Sequence, residues 1–123
     1  MIQGFEDYTQ PLTKDELYVL NGVITGLLSH RGKANAVTSG AIIKGIAAYY
    51  GVQLTGPRVR KIINHIRVND LLRGEILCAN SNGYYVADNR QEAEENILGL
   101  RGRLDAIQAV YDNLTRQINN KFN

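Results

Sequence analysis

Three polar side chains on one short stretch of the sequence match the hydrogen-bonding groups of DNA bases. Arg58, Lys61 and Asn64 are spaced three residues apart, so they fall on one face of a helix. Arginine and lysine can donate to the acceptors of guanine in the major groove, and asparagine can both donate to and accept from adenine. An apolar stripe on the same stretch predicts that this polar face points away from the core. The three residues are therefore candidates for base recognition.

Other polar residues near this stretch could bind the phosphate backbone of DNA. The cations expected to contact phosphates are Lys44, Arg60 and Arg67. Hydroxyl and amide groups at the starts of predicted helices can add contacts, and the residues concerned are Thr38, Ser39 and Thr55. His65 could contact a base or a phosphate, although an exposed histidine on a helix more often has no such role.

A predicted turn supplies the remaining candidates. Asn80 and Asn82 lie in this turn and could hydrogen-bond to phosphate or to the minor groove. From residue 75 to residue 89 the chain contains no lysine or arginine. We therefore expect the turn to contribute only weakly to an interaction with DNA.

Basic residues are concentrated in the middle of the chain. The formal net charge of the 123 residues is only +2. Residues 31–73, however, hold eight lysines and arginines against the single acid Asp70, whereas the segments on either side are both acidic. Each phosphate that a cation neutralises releases condensed counterions, so this basic block predicts binding to a polyanion. The alternative is a solvated helical face with no such partner.

Capping signals and apolar periodicity predict four helices. They cover about residues 13–30, 39–50 and 55–72, followed by a long helix from about residue 90 nearly to the C-terminus. The first begins with a capping box formed by Thr13 and Glu16. Its buried stripe is predicted to be Leu17, Leu20, Ile24, Leu27 and Leu28, and that of the third helix Val59, Ile62, Ile63, Ile66 and Leu71.

Two short β-prone runs follow the third predicted helix. They cover residues 76–79 and 84–87 and are joined through Asn82-Gly83, a pair typical of a type I′ turn with positive φ at both central positions. Three helices followed by a hairpin is the order of a winged helix-turn-helix. We therefore predict a mainly α fold with a small β-hairpin. A winged helix-turn-helix domain at residues 1–89, with an N-terminal arm at residues 1–12, would precede a long C-terminal helix at residues 90–123.

Three runs of the sequence are distinctive when taken together. They are Gly32-Lys33-Ala34-Asn35-Ala36-Val37-Thr38, Arg58-Val59-Arg60-Lys61-Ile62-Ile63-Asn64-His65-Ile66-Arg67 and Ser81-Asn82-Gly83-Tyr84-Tyr85-Val86-Ala87. Over roughly residues 5–110 the chain resembles small phage and prophage-type winged helix-turn-helix proteins, which likewise continue from Gly-Tyr-Tyr into a long helix rich in leucine and arginine. The resemblance implies a DNA-binding domain of bacterial, phage or mobile-element origin.

Apolar residues of the C-terminal helix recur at alternating steps of three and four. The residues of this seam are Ile97, Leu100, Leu104, Ile107, Tyr111, Leu114 and Ile118. Such a pattern is the a/d repeat of a coiled coil, and it predicts a homodimer that pairs through this helix. The alternative is that the seam packs on helices of its own domain.

The composition excludes several classes of protein. With 44% hydrophobic and 21% charged residues and two prolines, the chain can bury a core, and it has no apolar run of about 18 residues that would span a membrane. One cysteine and two histidines leave no ligand set for zinc, and no nucleophile or carboxylate pair has a recognisable setting. We expect a cytoplasmic protein without metal, cofactor, membrane association or enzymatic activity.

These observations lead to two hypotheses about function. The first is sequence-specific binding of double-stranded DNA, as a phage or mobile-element transcriptional regulator or a replication accessory protein. The second is a protein–protein interaction module on a winged-helix scaffold that binds a replication or host protein, because a fold does not by itself settle function. Salt dependence of binding to duplex DNA distinguishes them, since only a DNA binder releases counterions.

Overall fold

A computed structural model describes residues 10–122, so residues 1–9 of the expected N-terminal arm lie outside the described chain. The elements in the described range are α1 (Lys14–Leu28), a 3₁₀ turn (Lys33–Asn35), α2 (Ser39–Tyr50), α3 (Gly56–Val68), β1 (Leu77–Asn80), β2 (Gly83–Val86) and α4 (Arg90–Phe122). The chain is therefore mainly helical, with a small antiparallel hairpin and a long C-terminal helix, as the sequence predicts.

Side-chain caps fix where the first three helices begin. The capping box of α1 is present in full, with Thr13 and Glu16 each accepting a hydrogen bond from the other's backbone amide. The Thr38 hydroxyl accepts from the amide of Ala41 at 3.1 Å, and Thr55 caps α3 in the same way. These hydroxyls satisfy amides that have no partner within the helix. The predicted bounds of α2 are confirmed at both ends.

The third helix is shorter than its apolar pattern predicts. It ends at Val68 because Asp70 adopts the left-handed conformation, with φ of 59°. The amide of Leu71 then donates to the carbonyl of Ile66 at 3.0 Å, the six-residue bond that closes a Schellman motif. The prediction that the helix continues to residue 72 is wrong. Leu72 is still buried, but from the loop that follows the helix.

The core lies between α1, α2, α3 and the hairpin, and the predicted buried stripe of α1 is correct except at its start. Ile24 and Leu27 are buried, and Leu20 and Leu28 pack against the core. Leu17 is 55% exposed, whereas Val19 and Val23 are buried. The side chain of Glu16 is also buried, on the same side of the helix as Val19 and Val23. The predicted buried stripe of α3 is confirmed for Val59, Ile62, Ile63 and Ile66, which are 3% exposed or less. Leu71, its predicted last member, is half-buried and lies beyond the end of the helix.

The hairpin is extended by the segment that precedes α2. Strand β2 pairs with β1 on one side, and on the other side Val37 exchanges two backbone hydrogen bonds with Tyr84, at 2.7 and 2.8 Å. The amide of Gly32 also donates to the carbonyl of Val86 at 2.8 Å. Both edges of β2 are therefore paired, which ties the hairpin to the start of α2.

The turn of the hairpin differs from the predicted type I′ turn. Asn80 pairs with Gly83, so Ser81 and Asn82 are the central residues, and within the described chain neither of them has positive φ. The side-chain oxygen of Asn80 accepts a hydrogen bond from the amide of Asn82 at 2.8 Å, which forms an Asx turn. Positive φ occurs at Gly83 instead, at 126°.

The beginning of α4 is attached to the hairpin. Ala93 packs on a small cluster that contains the fully buried Cys78 and Tyr85, and burial raises the pKa of the Cys78 thiol. The side-chain oxygen of Asn96 accepts a hydrogen bond from the amide of Ala79 at 3.0 Å, at the outer edge of β1. Farther along, every residue from 97 to 122 is exposed. Among the helices described, none is long and apolar enough to cross a membrane.

Candidate nucleic-acid interface

Two of the three predicted base-reading residues point toward α1 instead of outward. The side chain of Glu16 is only 1% exposed, and its two oxygens lie 2.9 Å from Nε of Arg58 and 2.7 Å from Nζ of Lys61. The guanidinium of Arg58 also donates to the carbonyl of Gln53 at 3.1 Å. Lys61 is only 12% exposed. The prediction that both cations face away from the protein is therefore wrong.

The physical reason is the burial of a carboxylate in the helical core. A buried charge costs several kcal/mol unless it is paired and hydrogen-bonded, and α3 presents two cations where α1 buries Glu16. Burial alone raises the pKa of the Glu16 carboxyl. The hydrogen bonds from Lys61, the Thr13 amide and Arg58 outweigh burial, however, and hold that pKa at about 2, below its usual 4.5. Glu16 accordingly joins the beginnings of α1 and α3.

This cluster predicts how stability depends on acid. The folded-state pKa of Glu16 lies below the unfolded value, so its contribution is present above about pH 4.5 and is lost as the pH falls toward 2. A depression of this size corresponds to about 3 kcal/mol at neutral pH. Between pH 6 and pH 3, the wild type is expected to lose more free energy of unfolding than the Glu16→Gln variant does. Urea denaturation at the two pH values measures both losses. Equal losses would contradict the assignment.

Arg67 holds the hairpin instead of standing free to clamp a phosphate. Its Nε and Nη2 atoms donate to the carbonyl of Leu77 at 3.3 and 3.2 Å. Because the guanidinium is poorly solvated in this position, burial lowers its pKa. The bond joins the last turn of α3 to the first residue of β1. The predicted role of Arg67 as a phosphate contact is not favoured by this position.

Acidic residues from outside the basic block neutralise more of its charge. Arg31 pairs with Glu75 at 2.8 Å, and Lys33 pairs with Glu95 at 3.3 Å. Together with the two partners of Glu16 and the half-buried Arg67, at least five of the eight bases in residues 31–73 have partners within the protein. Much of the positive charge that the sequence concentrates in this block is therefore used in holding the fold.

Three other cations of the block are exposed, and they lie on α2, on α3 and in the loop after α3. Lys44 and Arg73 are exposed and form no ion pair with any residue between 10 and 122. Arg60 is exposed as well, and its guanidinium lies beside the start of α3, where a Cβ placed on Gly56 would be 3.6 Å from its Nη1 atom. Lys44 and Arg60 are both among the predicted phosphate contacts.

The remaining candidates on α3 are partly exposed. Asn64 is half-buried and stands one helical turn after Arg60. His65 is half-buried too, and the side-chain amide of Asn69 lies 3.3 Å from its Nδ1 atom. The outward surface of α3 is completed by Pro57 and Val68, both exposed. Of the three predicted base readers, Asn64 is thus the one whose side chain is not tied to Glu16.

The structure brings four other predicted contact residues into one place. A cleft of about 270 Å³ separates the start of α2 from the tip of the hairpin, and its lining includes Thr38, Ser39, Asn80 and Asn82. The pairing of Val37 with Tyr84 holds the two sides together. The cleft offers hydroxyl, amide and backbone groups without a cation, so it can bind phosphate oxygens by neutral hydrogen bonds.

The sequence analysis does not predict that Glu16 pairs with Arg58 and Lys61. One signal was available, because Glu16 lies four residues before Leu20 and falls on the same helical face as Val23 and Leu27. An acid on a buried stripe requires a cation from another element. No family model, curated protein or solved structure matches this chain.

Proposed function

We infer that the helices and the hairpin form a winged helix-turn-helix domain that binds double-stranded DNA. The order of elements supports this proposal, since α1, α2, α3 and the hairpin follow one another as in that fold, and the segment before α2 pairs with β2. The role proposed for the chain is regulation of transcription or support of replication in a phage or mobile element, as the sequence resemblance implies.

One observation carries the proposal. The start of α2 and the tip of the hairpin line a common cleft with hydroxyl and amide side chains, and Lys44 and Arg60 add exposed positive charge on α2 and α3. Exposed cations together with helix N-termini are the groups that proteins commonly use to hold a DNA backbone. Asn64 is the proposed base reader, since asparagine can pair with adenine in the major groove.

The neutralised basic block limits how strong this binding can be. Arg58, Lys61 and Arg67 have partners in the protein, so fewer cations than the sequence suggests remain to release counterions. The slope of log K against log salt falls by about 0.9 for each phosphate contact on duplex DNA. We therefore expect a slope of about −2 to −3 for one domain, and only weak affinity at physiological salt.

A salt titration of binding to duplex DNA tests the proposal. Lys44→Ala and Arg60→Ala should each flatten the slope by about one unit, because each removes one phosphate contact. Arg116→Ala is the matched control, since Arg116 is an exposed cation on the distal half of α4 and should leave the slope unchanged. If the wild type has no measurable affinity for duplex DNA at low salt, the proposal fails, and the protein–protein interaction module becomes the better hypothesis.

A further inference from the structure

The last helix consists of two parts with different surroundings. In its first part, residues 90–103, Ala93 and Asn96 contact the hairpin, and Leu100 lines a cavity together with Leu77. In its second part, the projecting section of residues 104–122, the side-chain hydrogen bonds formed within the described chain stay inside the helix. This section has 19 residues and would be about 28 Å long.

A line of large apolar side chains runs along the projecting section. Its residues are Leu104, Ile107, Tyr111, Leu114 and Ile118, and each is between 52% and 65% exposed. In proteins, most of the stability of a helix comes from packing of its apolar face against a partner. Nothing within residues 10–122 covers this face.

We propose that the projecting section pairs with the same section of a second copy of this chain, forming a two-stranded coiled coil. The apolar residues follow steps of 3, 4, 3 and 4, which place them in positions a and d of a heptad repeat. A seam with this spacing stays continuous along its length when helices wind around each other in a left-handed supercoil. A helix lying on a globular surface has no need of so regular an alternation.

The positions that flank the seam favour a copy of the chain as the partner. Within residues 104–118, the e and g positions nearest a facing helix are Gln108, Val110, Thr115 and Gln117, and all four are uncharged. Two identical helices therefore meet without like charges across the interface, in either orientation. Pairing with a different helix of opposite charge would require charged residues at the e and g positions, and this section has none there.

The start of the pairing region is set by the hairpin. Asn96 is bonded to Ala79 and Ala93 is packed against the cluster of Cys78, so this side of the helix is already occupied by the chain's own domain. The seam residue Leu100 lines a cavity with Leu77, and Leu104 is the first seam position beyond this last contact. Ile97 is 62% exposed but lies before that contact. The proposed coiled coil therefore runs from Leu104 to Ile118. This inference does not depend on DNA binding.

Sedimentation equilibrium of the full chain at about 50 μM tests the proposal. The wild type is expected at twice the monomer mass of 13.7 kDa. The double variant Leu104→Glu with Ile107→Glu places two charges in the seam and should raise the dissociation constant at least about 100-fold. The control carries Ala109→Glu and Arg116→Glu, two new acids on the outer face of the same helix, and should remain dimeric.

Folding of the variants is checked separately, since the domain and the seam are distinct. The rate at which a thiol reagent reaches the buried Cys78, which lies in the domain, should be unchanged by the seam substitutions. Helix content should fall, because the separated projecting section loses its packing. A wild type that sediments at the monomer mass would overturn the proposal, and so would a dimer that persists in the seam variant.

Discussion

Replacing Gly83 with alanine is expected to lower the free energy of unfolding by about 3 kcal/mol or more. A Cβ on this residue would lie 2.1 Å from the carbonyl oxygen of Val37 and 2.5 Å from its carbonyl carbon. Backbone atoms cannot move aside as a flexible side chain can, so the pairing between Val37 and β2 would have to open. The φ of 126° adds strain for any residue with a side chain. Urea denaturation monitored by circular dichroism measures the loss.

Gly74→Ala is the matched control for this prediction. Gly74 also has positive φ, at 82°, but a Cβ there would meet nothing within 4 Å. The control therefore carries the backbone strain without the steric overlap, and it should cost only about 1 kcal/mol. The difference between the two variants isolates the close approach of the hairpin to Val37. Similar losses in both would mean that this approach is not tight in solution.

Replacing Lys61 with methionine is the second substitution expected to have a large effect. It removes the cation 2.7 Å from an oxygen of Glu16 while keeping much of the apolar stem, so the carboxylate stays buried with one charged partner fewer. Removal of one member of a buried ion pair costs about 3 kcal/mol or somewhat more. Lys44→Met removes an exposed lysine instead and should change the free energy of unfolding by less than about 0.5 kcal/mol.

A double-mutant cycle identifies the cause of this loss. If the unpaired carboxylate is responsible, Glu16→Gln combined with Lys61→Met should be destabilised by clearly less than the sum of the two single variants. Additive losses would assign the effect to packing of the lysine stem. The cycle also bears on DNA binding, because a Lys61 variant that binds DNA weakly could do so through partial unfolding. Binding measurements on Lys61 and Arg58 variants therefore require the folded fraction to be measured alongside.

Local signals in the sequence predict much of this fold. The capping box at Thr13 and Glu16, the left-handed Gly51 after α2 and the proline in the first turn of α3 each act within a few residues of chain. Such interactions depend on near neighbours alone, so the order of the elements and the bounds of α2 follow from the sequence. The long helix α4 and the positions of its apolar seam follow from periodicity in the same way, whereas the exposure of the seam does not.

The orientation of the charged side chains could not be obtained from local signals. On a helical wheel Lys61 lies opposite the apolar stripe of α3, and that geometry was the basis for expecting it to face outward. Its actual direction is set by Glu16, a residue of another helix, and the pairing depends on how α1 and α3 pack. Arg67 was misplaced for the same reason, since its acceptor belongs to the hairpin. A helical wheel uses the sequence of one helix only, so it cannot show which side chains are drawn to partners on other elements.

The position of the hairpin turn also could not be predicted from local signals. Asn82-Gly83 is a strong local signal for a turn centred on those two residues, yet the observed turn is centred one residue earlier. Gly83 is needed where the backbone of Val37 comes close, and that contact joins residues far apart in the chain. A glycine required by a tertiary contact has the same appearance in the sequence as one required by a turn.

The burial of Cys78 gives the protein a natural chemical probe. It is the single cysteine of the chain and is fully enclosed where the hairpin meets the start of α4. A thiol reagent can reach it only when this junction opens, so the labelling rate at low reagent concentration reports the opening equilibrium and at high concentration the opening rate. No cysteine has to be introduced and none removed. The lifetime of the junction between the domain and its long helix can therefore be timed on the unaltered protein.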